Sequence, residues 1–362
     1  MIDLNDLKRW SYELRFDNSG TLTKRAISKI KKFIAIQSFK QLGKNILYPD
    51  TIGIELTNRC NLRCIECARN YWDAQKNKFG DMSFDFFVDK VEPILHKGMN
   101  VQINGYGESL LNKDIFKILD RCNKKGCFVQ LYTNGSLFTP ENIKKLMRVD
   151  QIVFSIDGIE SCKKIRGVSS EKIFDNIRQI NKIKAKKNLL SPTIAINFCA
   201  MRDNIKELPG LVKIASTLKI DYFSVRHLNI YSKNLISQSL QHKDNLRLAE
   251  RYFKKAQDIA KRNKLILSIP PLENKFLSCT NPFNVVWIKW NGDVIPCCLG
   301  IVHEKNTISV GNLNKSSFDE IWNNNMINHI RRSLLDNKNF HPYCETCPER
   351  YCCLEFNIRH LK

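Results

Sequence analysis

Short apolar runs alternate with longer segments of helical periodicity through the middle of this chain. Six runs have the length and the branched or aromatic content of buried strands: 52–56, 101–105, 128–132, 152–156, 193–198 and 222–225. The segments between them repeat apolar residues every three to four positions, as amphipathic helices do. This alternation favours parallel strands with helical crossovers. It predicts an α/β fold of about six βα units, with functional residues at the carboxyl ends of the strands.

The number of cysteines and the absence of an export signal indicate whether the thiols form disulfides or bind metal. The chain has 362 residues and 14 cysteines. Its first fifteen residues are polar and of mixed charge, without a secretory apolar region, and no stretch approaches the length of a membrane span. We therefore expect a cytoplasmic protein with no membrane span, in which clustered thiols bind metal rather than form disulfides.

The charge is strongly basic, with 58 Lys and Arg against 36 Asp and Glu and a net charge of +22. Lysine is spread along the whole chain, without an arginine-rich block or a basic-aromatic repeat, so the pattern does not favour nucleic acid as a partner. An acidic electron-transfer protein is the anionic partner that we expect.

Three cysteines follow the first apolar run with the spacing C-x3-C-x2-C: Cys60, Cys64 and Cys67. Three close thiolates can hold three irons of a cubic 4Fe-4S cluster and leave the fourth iron open. Structural zinc normally takes four protein ligands instead. The triplet therefore predicts an iron-sulfur cluster with one free coordination site.

This triplet, in the loop after the first strand, resembles the signature of the radical S-adenosylmethionine (SAM) superfamily. In that family the open iron binds the amino and carboxylate groups of SAM, and reductive cleavage yields a 5'-deoxyadenosyl radical that abstracts hydrogen from a substrate. The resemblance implies a partial (β/α)6 TIM-like barrel. One departure is Glu66, because the family usually has an aromatic side chain there.

The ends of the next four strands also resemble the family, in the correct order along the chain. Glu108, in a glycine-rich segment, is expected at the methionine amino group. Ser155 and Arg166 are candidates for the ribose hydroxyls and the methionine carboxylate, and Asn197 for the ribose. The cofactor contacts that the resemblance implies are Gly105, Gly107, Glu108, Asn134, Ser155, Arg166 and Asn197.

The tail is rich in cysteine and contains Asn291-Gly292, a signal for a tight hairpin. Its thiols are compatible with a zinc ribbon or with an auxiliary cluster like that of the SPASM and shortened "twitch" extensions, and thiolate geometry alone does not separate the two. Attachment to a radical SAM-like barrel favours iron. We expect one auxiliary 4Fe-4S cluster, on Cys279, Cys297, Cys344 and Cys347.

The remaining cysteines divide into two groups. Three tail thiols are candidate hydrogen donors to a substrate radical, or replacement ligands of the auxiliary cluster, and are the catalytic candidates that the sequence offers: Cys298, Cys352 and Cys353. Four others are expected to be ordinary buried residues: Cys122, Cys127, Cys162 and Cys199.

The predicted organisation has four parts. They are a basic helical N-terminal extension (1–50), the radical SAM partial barrel (51–239), a linker helix (240–264) and a small cysteine-rich C-terminal SPASM/twitch domain (265–362).

For function, single-cluster extensions resemble those of family members that act on sugars and aminocyclitols. We therefore expect oxidation (dehydrogenation) or epimerisation of a carbohydrate-like small-molecule substrate, with flavodoxin or ferredoxin as reductant. The alternative is modification of a ribosomally synthesised peptide. A non-catalytic zinc-ribbon or RNA-binding protein is a third hypothesis, favoured only by the charge and the tail cysteines.

Overall fold

The computed structural model describes residues 22–71, 78–272, 279–297, 308–345 and 347. These residues form one ten-stranded sheet in the order β10-β9-β8-β1-β2-β3-β4-β5-β6-β7. The strands are β1 Thr51–Ile54, β2 Asn100–Ile103, β3 Phe128–Thr133, β4 Gln151–Ser155, β5 Thr193–Ala200, β6 Tyr222–His227, β7 Ile266–Ser268, β8 Val285–Ile288, β9 Asp293–Ile295 and β10 Gly311–Asn312.

The α-helices lie mainly between these strands. They are α1 Leu22–Leu42, α2 Phe84–Phe86, α3 Ile115–Lys124, α4 Pro140–Leu146, α5 Ser161–Arg166, α6 Ser170–Lys187, α7 Leu208–Thr217, α8 Leu246–Arg262, α9 Asn281–Asn284, α10 Phe318–Trp322, α11 Asn325–Asp336 and α12 Pro342–Glu345. A π-helical segment, Phe87–Val91, continues α2, and short 3-10 turns are Ala68–Tyr71, Glu92–Ile94, Ser109–Leu111, Ile205–Glu207, Lys233–Gln238 and Lys243–Asn245.

The predicted parallel α/β arrangement is confirmed. Strands β1 to β6 pair in chain order and are all parallel. Helices cover the outer face of the sheet and bury it along its whole length. The strand residues on that face are therefore apolar. Ile152 and Phe154 of β4, for example, join the same apolar core as Ile173 and Ile177 of α6.

Two strands from beyond the predicted barrel extend this sheet. Strand β7 pairs in parallel with β6, and β8 pairs in parallel with β1. The indole of Trp287 lies against Gly53, where an added Cβ would come within 1.9 Å of the ring. The sheet thus runs across the predicted boundary at residue 265, and the four-part division stays a prediction.

The predicted hairpin at Asn291-Gly292 is present. Strands β8 and β9 are antiparallel neighbours, and Gly292 adopts a φ of 88°, which favours glycine in a tight turn. Elsewhere in the tail, the buried Arg331 donates hydrogen bonds to the carbonyl oxygens of Pro282 and Trp322. Its guanidinium also lies 6.0 Å from the ring of Phe39, so it connects the tail to α1.

Side chains on the inner face of the sheet form layers, because residues two apart on a strand point to the same side. The deepest layer is a ladder of glutamines: Gln102 donates to Gln130 (3.2 Å) and Gln130 donates to Gln151 (2.6 Å). An apolar layer follows, formed by Tyr132, Val153, Ala195 and Tyr222. These layers fill the barrel below the strand ends and leave the next layer as the floor of the site.

No α-helix within the described ranges is long and apolar enough to cross a membrane.

Candidate active site

The cysteine-bearing loop leaves β1 and is fixed on two sides by backbone hydrogen bonds. On the side of β2, the N–H of Glu108 donates to the carbonyl oxygen of Arg59 (2.9 Å). On the side of α5, the N–H of Ile65 donates to the carbonyl oxygen of Ile165 (2.9 Å). The loop therefore lies over the carboxyl ends of the strands, where parallel barrels place their active sites.

The thiols of the triplet share one environment. Burial raises the pKa of Cys64 and of Cys67, and the charge of Cys60 adds to the rise in both cases. The side-chain N–H of Asn134 lies 3.9 Å from the Cys60 sulfur, and Nη1 of Arg166 lies 3.9 Å from the Cys64 sulfur. Such donors stabilise thiolate ligands, so this set of donors fits a thiolate-bound cluster.

Among the described residues, no three Cys, His, Asp or Glu side chains stand in metal-ligand geometry. The assignment of Cys60, Cys64 and Cys67 as cluster ligands therefore stays a prediction. It rests on the spacing and on the shared environment of the thiols.

The glycine-rich segment after β2 packs directly on the cysteine loop. A Cβ at Gly107 would lie 2.2 Å from the carbonyl oxygen of Thr57, and one at Gly105 would lie 2.4 Å from Cγ of Glu55. Both contacts are far closer than an ordinary Cβ contact. The two glycines thus let β2 approach β1 and the loop, and contact of either residue with a cofactor stays a prediction.

Glu108 is buried and already engaged by β3. Its carboxylate accepts the N–H of Asn134 (2.7 Å) and the hydroxyl of Thr133 (2.8 Å). Burial raises its pKa, while these hydrogen bonds oppose the rise. A carboxylate accepts at about four lone-pair sites, so a contact with an ammonium group remains compatible with this arrangement.

Arg166 lies between two buried carboxylates. Its Nε donates to Asp157 (2.5 Å), and its Nη2 lies 3.4 Å from Glu66. Burial raises the pKa of Glu66 to about 8, and the charge of Arg166 opposes this rise. The guanidinium is therefore held by protein groups, and its predicted contact with the methionine carboxylate stays untested. In the sequence, Glu66 stood out only as a departure from the family.

Ser155 and Asn197, the other predicted cofactor contacts, are register partners on β4 and β5. Both are half-buried on the inner face, one layer above Val153 and Ala195. The fold therefore places these two residues side by side, and their contact with SAM stays a prediction.

The four predicted auxiliary ligands all lie in or against the main apolar core. Cys344 and Cys347 are buried, whereas Cys279 and Cys297 are partly exposed. Each makes at least one interaction with other residues. Their joint ligand role stays a prediction, and Cys298, Cys352 and Cys353 lie outside the described residues.

Sequence reasoning missed two inner residues. Glu55 is fully buried, accepts the N–H of Tyr106 (3.0 Å), and has its pKa raised by burial. Ser224 of β6 is buried beside Asn197. A charged residue inside an apolar run was the available signal for Glu55, and the alternation of residues along the strand was the signal for Ser224.

Two protein families match the chain. The Radical SAM superfamily matches residues 54–208, and SPASM, an iron-sulfur cluster-binding domain, matches residues 279–348. The second match begins at Cys279 and ends one residue after Cys347. These domains imply a SAM-binding 4Fe-4S cluster and auxiliary cluster binding in the tail.

Two curated relatives are similar over most of their length. The tungsten-containing aldehyde ferredoxin oxidoreductase cofactor-modifying protein of Pyrococcus furiosus is 26% identical over 83% of this chain and 87% of its own. The antilisterial bacteriocin subtilosin biosynthesis protein AlbA of Bacillus subtilis is 22% identical over 96% of this chain and 75% of its own.

Among solved structures, Streptococcus suis SuiB bound to the precursor peptide SuiA has a similar fold. The TM-score is 0.63 at 18% identity, with 88% of this chain and 73% of that chain covered. Together with the family matches, this likeness confirms the predicted partial barrel. The chain belongs to the radical SAM superfamily and carries a C-terminal SPASM domain.

Proposed function

We propose that this radical SAM enzyme modifies a ribosomally synthesised peptide. The observation that carries the proposal is the similarity to the subtilosin biosynthesis protein, which extends over 96% of this chain and so includes both the barrel and the SPASM tail. The comparisons support this hypothesis better than they support the carbohydrate-like substrate expected from the sequence.

The residues around the cysteine loop would hold the cofactors, and the side chains inside the barrel would exclude water. Bound cluster and SAM would supply the radical that removes hydrogen from the substrate. Asn134 and Arg166 would donate to the thiolates of Cys60 and Cys64, and Glu108 would hold the end of β3 against the loop through its bonds to Thr133 and Asn134. The layers of glutamine and apolar side chains below would close the barrel to water.

A second candidate is the modification of a small-molecule cofactor. It is favoured by the 26% identity to the Pyrococcus furiosus cofactor-modifying protein over 83% of this chain. Oxidation and epimerisation are the outcomes that we propose for either substrate class. An auxiliary cluster that accepts an electron from the substrate radical gives oxidation, whereas a thiol that returns a hydrogen atom to the radical gives epimerisation.

We propose flavodoxin or ferredoxin as the reductant. The net charge of +22 would steer an acidic partner to the surface. Because salt screens exposed charges, the second-order rate constant of cluster reduction should fall as ionic strength rises. A rate constant that does not change with salt would count against an electrostatically docked partner.

The proposed function is tested by producing the enzyme anaerobically together with each short peptide encoded beside its gene. We expect one peptide to change in mass, or to exchange an α-hydrogen for deuterium in heavy water, in step with release of 5'-deoxyadenosine. A variant with Cys60→Ala, Cys64→Ala and Cys67→Ala is the matched control and should leave the peptide unchanged. The proposal fails if no peptide changes while a small molecule stimulates 5'-deoxyadenosine release.

A further inference from the structure

The inner face of the sheet carries a continuous row of polar side chains on β4 to β7, at the level where β4 and β7 end. Backbone register pairs Ser155 with Asn197, Asn197 with Ser224, and Ser224 with Ser268. The row directly follows the apolar layer that contains Tyr222. It therefore forms the floor of the open end of the barrel.

The orientation of Ser224 follows from its neighbours on β6. Phe223 and Val225 join the large core that includes the helices of the outer face. Tyr222 instead packs with Val153 and Ala195 on the inner face. Because side chains alternate along a strand, Ser224 points to the same side as Tyr222, into the barrel.

The hydroxyl of Ser224 has an unused hydrogen-bonding capacity. The residue is only 1% exposed, and its Oγ has no hydrogen-bond partner among the residues that the structure describes. Buried hydroxyl groups are nearly always paired in native proteins, since an unpaired one loses its bonds to water without replacement. This hydroxyl therefore points to a partner that is not part of the described chain.

The position of Ser224 in the row indicates that its partner is a molecule other than SAM. Ser155 and Asn197, on β4 and β5, are the predicted ribose contacts. Neighbouring strands lie about 4.8 Å apart, so Ser224 is about one strand spacing beyond Asn197, on the side away from the cysteine loop. A group that binds there lies next to the nucleoside of the cofactor, where the substrate must present the hydrogen that is removed.

We infer that Ser224, flanked by the buried Ser268, forms a hydrogen-bonding contact for the substrate, and that it binds a main-chain amide of the peptide. A serine hydroxyl both donates and accepts, which suits an amide N–H or C=O. The amide assignment rests on the proposed function, whereas the substrate-facing position rests on the sheet and on the predicted ribose contacts of Ser155 and Asn197.

The first test compares Ser224→Ala with Ser333→Ala. Ser333 is a matched control, because it is also buried but its hydroxyl already donates to the carbonyl oxygen of Ile330 (2.9 Å) in the tail. With the modified peptide as substrate, we expect Ser224→Ala to raise KM about threefold to tenfold, the range for one lost hydrogen bond.

The same variant should leave the Kd for SAM and the substrate-free release of 5'-deoxyadenosine unchanged. Ser224→Thr, which keeps the hydroxyl, should restore most of the loss in KM. An unchanged KM in Ser224→Ala, or a loss of SAM affinity as large as the change in KM, would overturn the inference.

A second test needs no substrate and so separates this inference from the proposed function. The variant Ser224→Cys is incubated with SAM and dithionite in D2O, where its thiol carries deuterium. Transfer of that atom breaks the S–D bond, forms a C–D bond at the 5' carbon of 5'-deoxyadenosine, and leaves a thiyl radical on the variant side chain. Mass spectrometry of 5'-deoxyadenosine measures the transfer.

We expect more deuterium in 5'-deoxyadenosine from Ser224→Cys than from the wild type, and no increase from Ser333→Cys. The wild-type value accounts for native thiols such as Cys199. Equal deuterium in all three proteins would show that position 224 does not face the reacting carbon and would refute the inference. Deuterium transfer without any peptide modification would leave the substrate-facing position intact and reject only the peptide.

Discussion

Gly107 is the position where a single added carbon should disturb the cysteine loop most directly. In Gly107→Ala the new Cβ would lie 2.2 Å from the carbonyl oxygen of Thr57 and 2.5 Å from that of Arg59. Both are backbone atoms, so no side-chain rotation relieves the overlap. Since ordinary contacts begin at 3.4 Å, the loop and the end of β2 must separate by about 1.2 Å.

This separation should break the hydrogen bond from the N–H of Glu108 to Arg59, which is 2.9 Å long. Overpacking of this kind costs about 1–3 kcal/mol of folding free energy. A displacement of about 1 Å in a catalytic constellation costs roughly a hundredfold in rate. We therefore expect a folded protein that cleaves SAM on the order of a hundredfold more slowly.

The assay is the release of 5'-deoxyadenosine by the anaerobically reconstituted variant, with iron content and circular dichroism measured on the same sample. Gly210→Ala is the control, because its Cβ meets only the flexible end of Ile159 at 3.2 Å. It should behave like the wild type. Normal SAM cleavage by Gly107→Ala would refute the view that this close contact positions the loop.

Three further outcomes are expected. Glu108→Gln replaces one of two accepting oxygens with an NH2 donor, so either the N–H of Asn134 or the hydroxyl of Thr133 loses its acceptor, and the free energy of unfolding should fall by about 1–3 kcal/mol in guanidinium titrations. Because burial raises the pKa of Glu66 from 4.5 to about 8, the folded state keeps a proton that the unfolded chain releases. The free energy of unfolding of the cluster-free protein should therefore fall from about pH 5 to about pH 8, and Glu66→Gln should flatten part of that slope. The wild type should bind about eight irons per chain in a colorimetric assay, and Cys60→Ala and Cys344→Ala about four each; about twelve in the wild type would contradict a single auxiliary cluster.

The six parallel strands were predictable because each is a short run of apolar residues in the sequence, and segments of helical periodicity separate the runs. Ser155 and Asn197 were both predicted at strand ends, but β5 continues for three residues beyond Asn197. The pairing of β8 with β1 was not predictable, because it joins segments more than two hundred residues apart and depends on Trp287 fitting over Gly53. Long-range pairing of this kind leaves no periodic signal in either segment.

The surroundings of Arg166 were also beyond sequence reasoning. The resemblance implied a ligand contact for this residue, and Glu66 stood out only as a departure from the family. Whether a buried arginine meets a ligand or a carboxylate depends on which loops come together above the sheet. Here α5 brings Arg166 against Asp157 and Glu66, and its charge is balanced by Asp157 within the protein.

A chain of short contacts links the cysteine loop to the polar row on the inner face. The Cys64 sulfur lies 3.9 Å from Nη1 of Arg166, whose Nε donates to Oδ2 of Asp157. The other oxygen of Asp157 accepts the N–H of Cys199 (2.6 Å), two residues beyond Asn197 on β5. Because β5 carries the row that continues to Ser224, the carboxylate of Asp157 fixes the cysteine loop relative to that row. With the substrate at Ser224 as inferred, Arg166 and Asp157 would set the distance between it and the thiols that are predicted to hold the cluster.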